Sequence, residues 1–156
     1  MMDWLLLKNV IKGRRAGLLH LAPADKPMRL DCLAEKCAEC CKYFGGPAVT
    51  SQEAERIGSE AIITRRNALF VKSQNGICCV LKAGLCSRYA ARPKGCREYP
   101  WYNIDGRLYY DAGCPGIKFD KDERPEVKDI QPFENFFPGT PKLLVRILKY
   151  ICITSK

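Results

Sequence analysis

Cysteine spacing constrains this chain more than any other feature: four lie in Cys32-x4-Cys37-x2-Cys40-Cys41, within ten residues of one another. Two residues between Cys37 and Cys40 let both sulfurs turn onto one ion, as in the knuckles of zinc sites and the loops that hold iron–sulfur clusters. Five more, Cys78, Cys79, Cys86, Cys96 and Cys114, fall in a second stretch, and Cys152 stands apart. The pattern reads as two half-sites that the fold brings together.

Thiols at this density serve either disulfides or a metal. A chain of 156 residues can bury an ordinary core without covalent staples. Disulfide density belongs to small secreted domains that lack such a core. The start of the chain does not resemble a secretory signal, because its apolar run Trp4–Leu7 is short and basic residues follow it instead of preceding it. No apolar stretch approaches the ~20 residues that a membrane span requires. The expected location is therefore a reducing cytoplasm, and the expected chemistry is metal thiolate.

The formal charge of +9 invites nucleic acid or an anionic membrane surface as a partner. Residues 61–100 carry eight of the Lys and Arg against Glu98 alone. Those cations surround cysteines, where they would stabilise thiolates, and thiolate ionisation lowers the net charge further.

An amphipathic helix is expected over 3–12, with Leu5, Leu6, Val10 and Ile11 on one side. Thr50-Ser51-Gln52-Glu53 is a capping box, predicting a helix from Ser51 to Ile57 that stops at Gly58. A further helical piece is expected around 59–68. Gln74-Asn75-Gly76 between Ala68–Ser73 and Ile77–Leu81, and Asp105-Gly106 between Trp101–Ile104 and Arg107–Asp111, are hairpin signals. Residues 118–129 read as a solvated loop. Pro141 opens a final helix through Ile153, with Leu144, Ile147, Leu148 and Ile151 as its apolar stripe. These elements make a small single α+β domain, with two cysteine-bearing β-hairpins, short helices and terminal amphipathic helices around a metal site. Its expected parts are an N-terminal helix and linker (1–29), a cysteine-cluster domain (30–117) and a charged loop with a C-terminal helix (118–156).

The second half reads Cys78-Cys79-Val80-Leu81, Cys86-Ser87-Arg88-Tyr89, Arg92-Pro93-Lys94-Gly95-Cys96-Arg97-Glu98-Tyr99-Pro100 and Cys114-Pro115-Gly116-Ile117. With the Cys37-x2-Cys40-Cys41 knot, this resembles the CxxCxxCC, or YkgJ-type, family of zinc- or iron-chelating domains over roughly residues 30–117. The resemblance implies eight metal ligands: Cys32, Cys37, Cys40, Cys41, Cys78, Cys86, Cys96 and Cys114. The chain departs from the family in the wider gap between Cys32 and Cys37, and in Ala38 where Gly is common. One branch of the family includes flagellin lysine N-methylases of greater length. The resemblance thus implies an iron–sulfur cluster, such as [4Fe–4S], or zinc, and a redox or methyl-transfer accessory role with an unknown protein partner or electron donor. A zinc-stapled adaptor for nucleic acid or an anionic membrane is the alternative.

Neighbouring side chains diverge, so Cys40 and Cys41 fit one tetrahedral ion poorly; they fit better if one binds and the other packs, or if each serves a different metal or iron atom. Arg92 and Arg97 flank Cys96 and are candidates to stabilise a cluster through N–H···S contacts or to clamp an anionic substrate. Cys79 and Cys152 read as small buried hydrophobes, and His20 as a non-ligand. Tyr99, Trp101, Tyr102, Tyr109 and Tyr110 read as cross-strand core packing before base-stacking platforms. The spacing of the first cysteines, four residues where radical S-adenosylmethionine enzymes need three, excludes that chemistry.

Overall fold

Helix α1 (Trp4–Arg15) runs a turn past the end expected at residue 12. The computed structural model describes residues 4–25, 29–30, 37–118 and 124–154. The helix continues through Gly13 because a missing side chain there admits Phe44; a Cβ would stand 3.3 Å from its ring. Gly17, at φ +91°, then ends it. The Leu18 amide donates to Gly13 O and the Gly17 amide to Arg14 O, both at 3.0 Å. This Schellman arrangement satisfies carbonyls that the helix cannot pair internally. The inward stripe is Leu6, Val10 and Gly13, at i, i+4 and i+7. Leu5 and Ile11, expected on that stripe, fall outside this spacing and are exposed.

The chain then forms β1 (Leu21–Pro23), β2 (Arg29–Leu30), α2 (Glu39–Tyr43), β3 (Ala48–Val49) and α3 (Ser51–Ile57). Helix α3 has the expected bounds and its capping box is complete on both sides. The helical piece expected over 59–68 is one 3-10 turn, Ser59–Ala61, followed by β4 (Ile62–Arg65). Two isoleucines and a threonine favour the extended backbone there, and Arg66-Asn67 turns the chain into β5 (Ala68–Val71). Short strands follow: β6 (Ser73–Gln74), β7 (Ile77–Cys78), β8 (Leu81–Lys82) and β9 (Leu85–Cys86). Helix α4 (Lys94–Glu98), the hairpin β10 (Trp101–Ile104) and β11 (Arg107–Asp111), β12 (Ile117–Lys118) and α5 (Lys142–Thr154) complete the order.

Among the described residues all strand pairs are antiparallel, in two three-stranded sheets (β1-β11-β10 and β3-β5-β4) and three two-stranded ladders. Four hairpins turn on two residues with positive φ at both: Arg66-Asn67, Asn75-Gly76, Ala83-Gly84 and Asp105-Gly106. That is the backbone a tight turn needs to match strand twist. The hairpin at Asp105-Gly106 has the expected bounds but carries no cysteine. The cysteine-bearing hairpins are β6–β7, with Cys78, and β8–β9, with Cys86.

The main core lies where α1, α5 and β10–β11 meet, with Leu148 fully buried between Val10, Tyr102 and Phe133 in one apolar cluster. On α5 the buried residues are Leu144, Val145, Leu148 and Cys152, whereas Ile147 is exposed. Cys152 is therefore the small buried hydrophobe expected. Trp101 and Tyr102 are also core residues, paired across the strands with Tyr110 and Tyr109. A smaller cluster under α3 joins Ile57, Ala61, Val71 and Cys78. Of the loop expected over 118–129, residues 119–123 lie outside the described ones. The rest ends in a 3-10 turn, Val127–Asp129, beside buried Ile130. Among the described residues no helix is long and apolar enough to cross a membrane.

Candidate metal centre

Four of the eight candidate cysteines come from four separate elements into one neighbourhood: Cys41 on α2, Cys78 on β7, Cys86 on β9 and Cys96 on α4. The Cys41 and Cys86 thiols interact directly, and the interaction with Cys40 helps push Cys41 up to about 12. Cys86 is pushed up first by Cys41 and then by burial. Cys96 is pushed up by burial and then by the charges of Cys41, Cys78 and Cys86, so its thiol feels the other three. Cys78 is raised mainly by burial. Without a cation such a group stays protonated, because each thiolate disfavours the next. A bound metal ion reverses that preference and displaces the protons.

Local structure explains why these four meet. Gly46 crosses Val71 so closely that a Cβ would stand 1.6 Å from the Val71 carbonyl oxygen. Only glycine permits that crossing. It holds the end of α2 against β5, and the Gly45 amide donates to Gly76 O at 2.8 Å, docking α2 on the β6–β7 turn. Cys96 is placed by Glu53. This buried carboxylate accepts from the Thr50 amide at 2.9 Å, as part of its own helix cap, and from the Lys94 amide at 2.7 Å, the first residue of α4. Burial by itself would raise the Glu53 carboxyl, but the Thr50 and Lys94 amides, the Thr50 hydroxyl and the Arg97 charge outweigh it and hold it below the ordinary range. At the other end of α4, Glu98 accepts from the Gln131 amide at 3.3 Å.

Arg92 stacks on the Tyr89 ring at 3.6 Å, donates to Tyr89 O at 3.0 Å, and its charge lowers both Cys86 and Cys96 against the larger raising effects. Arg97 donates to Arg92 O at 2.6 Å and faces Glu53 at 3.9 Å. Arg92 is thus the cation of the thiol group, and Arg97 supports it from behind.

The other candidates lie elsewhere. Cys40 packs into the main core, and Cys114 is buried there as well; both approach Tyr102. Cys40 thus packs into the main core while its thiol still interacts with that of the adjacent Cys41. Cys37 is half-buried just before α2. Cys32 lies outside the described residues. Cys79, expected to be buried, is exposed, because it follows buried Cys78 along the chain and points to the opposite face. Among the described residues, no three His, Cys, Asp or Glu side chains already stand in coordinating positions around one point.

Two carboxylates position this region in ways that their sequence context does not signal, since the capping box marks Glu53 only as part of its own helix cap. Glu53 is one. The other, Asp111, is fully buried and accepts four hydrogen bonds: from the Leu19 amide (2.7 Å), the Tyr99 hydroxyl (2.9 Å), the His20 amide (3.1 Å) and the Gly113 amide (2.9 Å). It anchors the turn that presents Cys114. Gly113 in that turn touches Gly17; a Cβ there would lie 1.8 Å from the Gly17 carbonyl oxygen.

Residues 31–115 match the family model named CxxCxxCC, described as "Putative zinc- or iron-chelating domain". The chain belongs to the CxxCxxCC family. The matched span includes all eight patterned cysteines, together with Arg92 and Arg97. No curated protein and no solved structure matches the chain significantly.

Proposed function

We propose that this chain is a cytoplasmic metal protein in which Cys41, Cys78, Cys86 and Cys96 hold an iron–sulfur cluster. The observation that carries this reading is the convergence of four thiols from four elements on a region with little core of its own. From Cys79 to Arg92 no residue is buried. Yet the segment folds as a two-residue ladder with Cys86 turned toward Cys41. A chain with so little buried apolar surface needs another source of order, and metal–thiolate bonds supply it.

The chemistry of the donors fits the group: soft thiols, a flanking arginine and no histidine. Cys40, Cys41, Cys78 and Cys96 also line one cavity. When bound, an iron–sulfur cluster would supply one-electron transfer, whereas zinc would staple the same segments without redox change. Arg92 offsets the negative charge of the thiolates, Glu53 aims α4, and Gly46 keeps α2 in register. Cys37, Cys40 and Cys114, with Cys32, form the second set of the pattern. Redox or methyl-transfer work would need a partner protein or electron donor.

Anaerobic purification followed by iron, zinc and sulfide analysis tests the proposal. Iron and sulfide with a broad visible band are expected. Zinc alone would replace the cluster with a structural site, and a metal-free folded protein would end the reading.

A zinc-stapled adaptor is the second reading, favoured by the outer face of α1. Trp4 is 67% exposed there beside Lys8 and Lys12, a mix that suits an anionic membrane surface. Binding to anionic over neutral vesicles at low salt is its test.

A further inference from the structure

The cavity beside the thiols extends well beyond them. Its volume of about 370 Å³ lies within the range of small-molecule sites, ~300–1,000 Å³. Away from Cys40, Cys41, Cys78 and Cys96 its wall is apolar and aromatic, with Phe44, Phe70, Phe136 and Phe137 among the lining residues. Among the described residues no Asp or Glu lines it. Its charged lining residues are Arg65 and Arg66, at the turn between β4 and β5. Arg66 is steadied by Thr140, whose hydroxyl accepts from its guanidinium at 3.0 Å. Arg65 is exposed and forms no salt bridge among the described residues.

Tyr102 supplies the independent observation. It lines the same cavity and is 5% exposed, and its hydroxyl has no hydrogen-bond partner among the described residues. Buried phenol hydroxyls ordinarily find one. The neighbouring Tyr99 does, donating to Asp111 at 2.9 Å. An unpartnered hydroxyl on a residue that lines an apolar space, with arginines at its edge, points to a ligand.

We infer that this cavity binds a small apolar carboxylic acid carrying a second acceptor oxygen. Its body lies against the aromatic wall, the second oxygen accepts from Tyr102, and the carboxylate meets Arg65 and Arg66. Because the thiols form one wall of the same space, the ligand lies beside the metal centre; this part rests on the metal reading above. The site would make the protein a sensor of, or a catalyst on, organic acids of this class.

The test is calorimetry and visible absorption on the metal-loaded full chain. The probe is 3-benzoylpropionate, which has a phenyl ring, a ketone oxygen and a carboxylate. 4-Phenylbutyrate lacks the ketone, and the methyl ester of the probe lacks the charge. Expected is saturable binding of the probe that is weaker for both comparators, with a change in the absorption bands. Tyr102→Phe should weaken the probe about three- to tenfold, leave 4-phenylbutyrate unchanged, and leave thermal stability unchanged or higher, since no bond is lost in the free protein. Arg65→Gln, at an exposed position, should weaken both acids about tenfold or more and the ester little. A metal-loaded protein that binds none of the three, or binding indifferent to both substitutions, overturns the assignment. A fall in stability for Tyr102→Phe without ligand also counts against it, because the hydroxyl would then already be paired. If the protein holds no metal yet binds the probe with these dependences, the cavity assignment stands and the metal reading falls.

Discussion

Asp111→Asn changes a single atom type at a buried side chain that accepts four hydrogen bonds. One carboxylate oxygen accepts from the Leu19 amide and the Tyr99 hydroxyl, the other from the His20 and Gly113 amides. An asparagine keeps one oxygen and turns an NH₂ toward two donors. If the NH₂ faces Tyr99, that hydroxyl can rotate to accept, but the Leu19 amide is left facing a donor. Leaving one buried donor unsatisfied costs about 1–3 kcal/mol, and each surviving bond drops from charge-assisted to neutral, about 1 kcal/mol apiece. The total is about 3–5 kcal/mol, a large part of the ~5–15 kcal/mol available to a domain. The opposite orientation strands two amides and does worse. Urea denaturation of wild type and variant measures the difference. Because Gly113 and Cys114 hang from this carboxylate, Cys114 should also become more reactive to alkylation. A loss below about 1 kcal/mol, with Cys114 still protected, would refute the assigned network.

Gly46→Ala places a methyl on the Val71 carbonyl oxygen; overpacking against backbone costs about 1–3 kcal/mol or more, and thermal melting together with metal content should both fall. Glu53 should give acid sensitivity. Its carboxyl is held below the ordinary value, so its contribution is complete above the unfolded pKa of ~4.3 and is lost as pH falls through the lower folded value. The stability gap between wild type and Glu53→Gln should therefore be widest near neutrality and close in acid, and a gap that widens on acidification would contradict the role. Cys152→Ala, in the core of α5, should cost about 1 kcal/mol in denaturant melts and leave metal content unchanged.

Much of the fold was legible where one residue type dictates the backbone. Thr50 and Glu53 announced α3 to the residue, and Asp105-Gly106 announced its hairpin, because Gly at the second turn position accepts positive φ freely. The hairpins at Arg66-Asn67 and Ala83-Gly84 were not legible. Arg66 and Ala83 adopt positive φ against their own preference, held there by strand pairing that no local pattern reveals. The same holds for the faces of α1 and α5. Leu5, Ile11 and Ile147 are as apolar as their buried neighbours, and only the partner surface decides which stripe turns inward. In the centre, the cysteine spacing marked the candidates, but not which of them the fold gathers around Cys96. Glu53 and Asp111 carried no signal beyond a cap and a strand end. Their second role, accepting amides from segments 41 and 92 residues away in sequence, exists only once the chain has folded.

The most direct measurement is metal and sulfide content, with visible absorption, on anaerobically prepared wild type and on Cys41→Ser, Cys78→Ser, Cys86→Ser and Cys96→Ser, with Cys152→Ala as control. Stoichiometric metal in the wild type and control, lost or sharply reduced in each of the four serine variants while they remain folded, is the predicted result. A folded wild type without metal, or full metal in all four variants, would contradict the assignment of these cysteines as the centre.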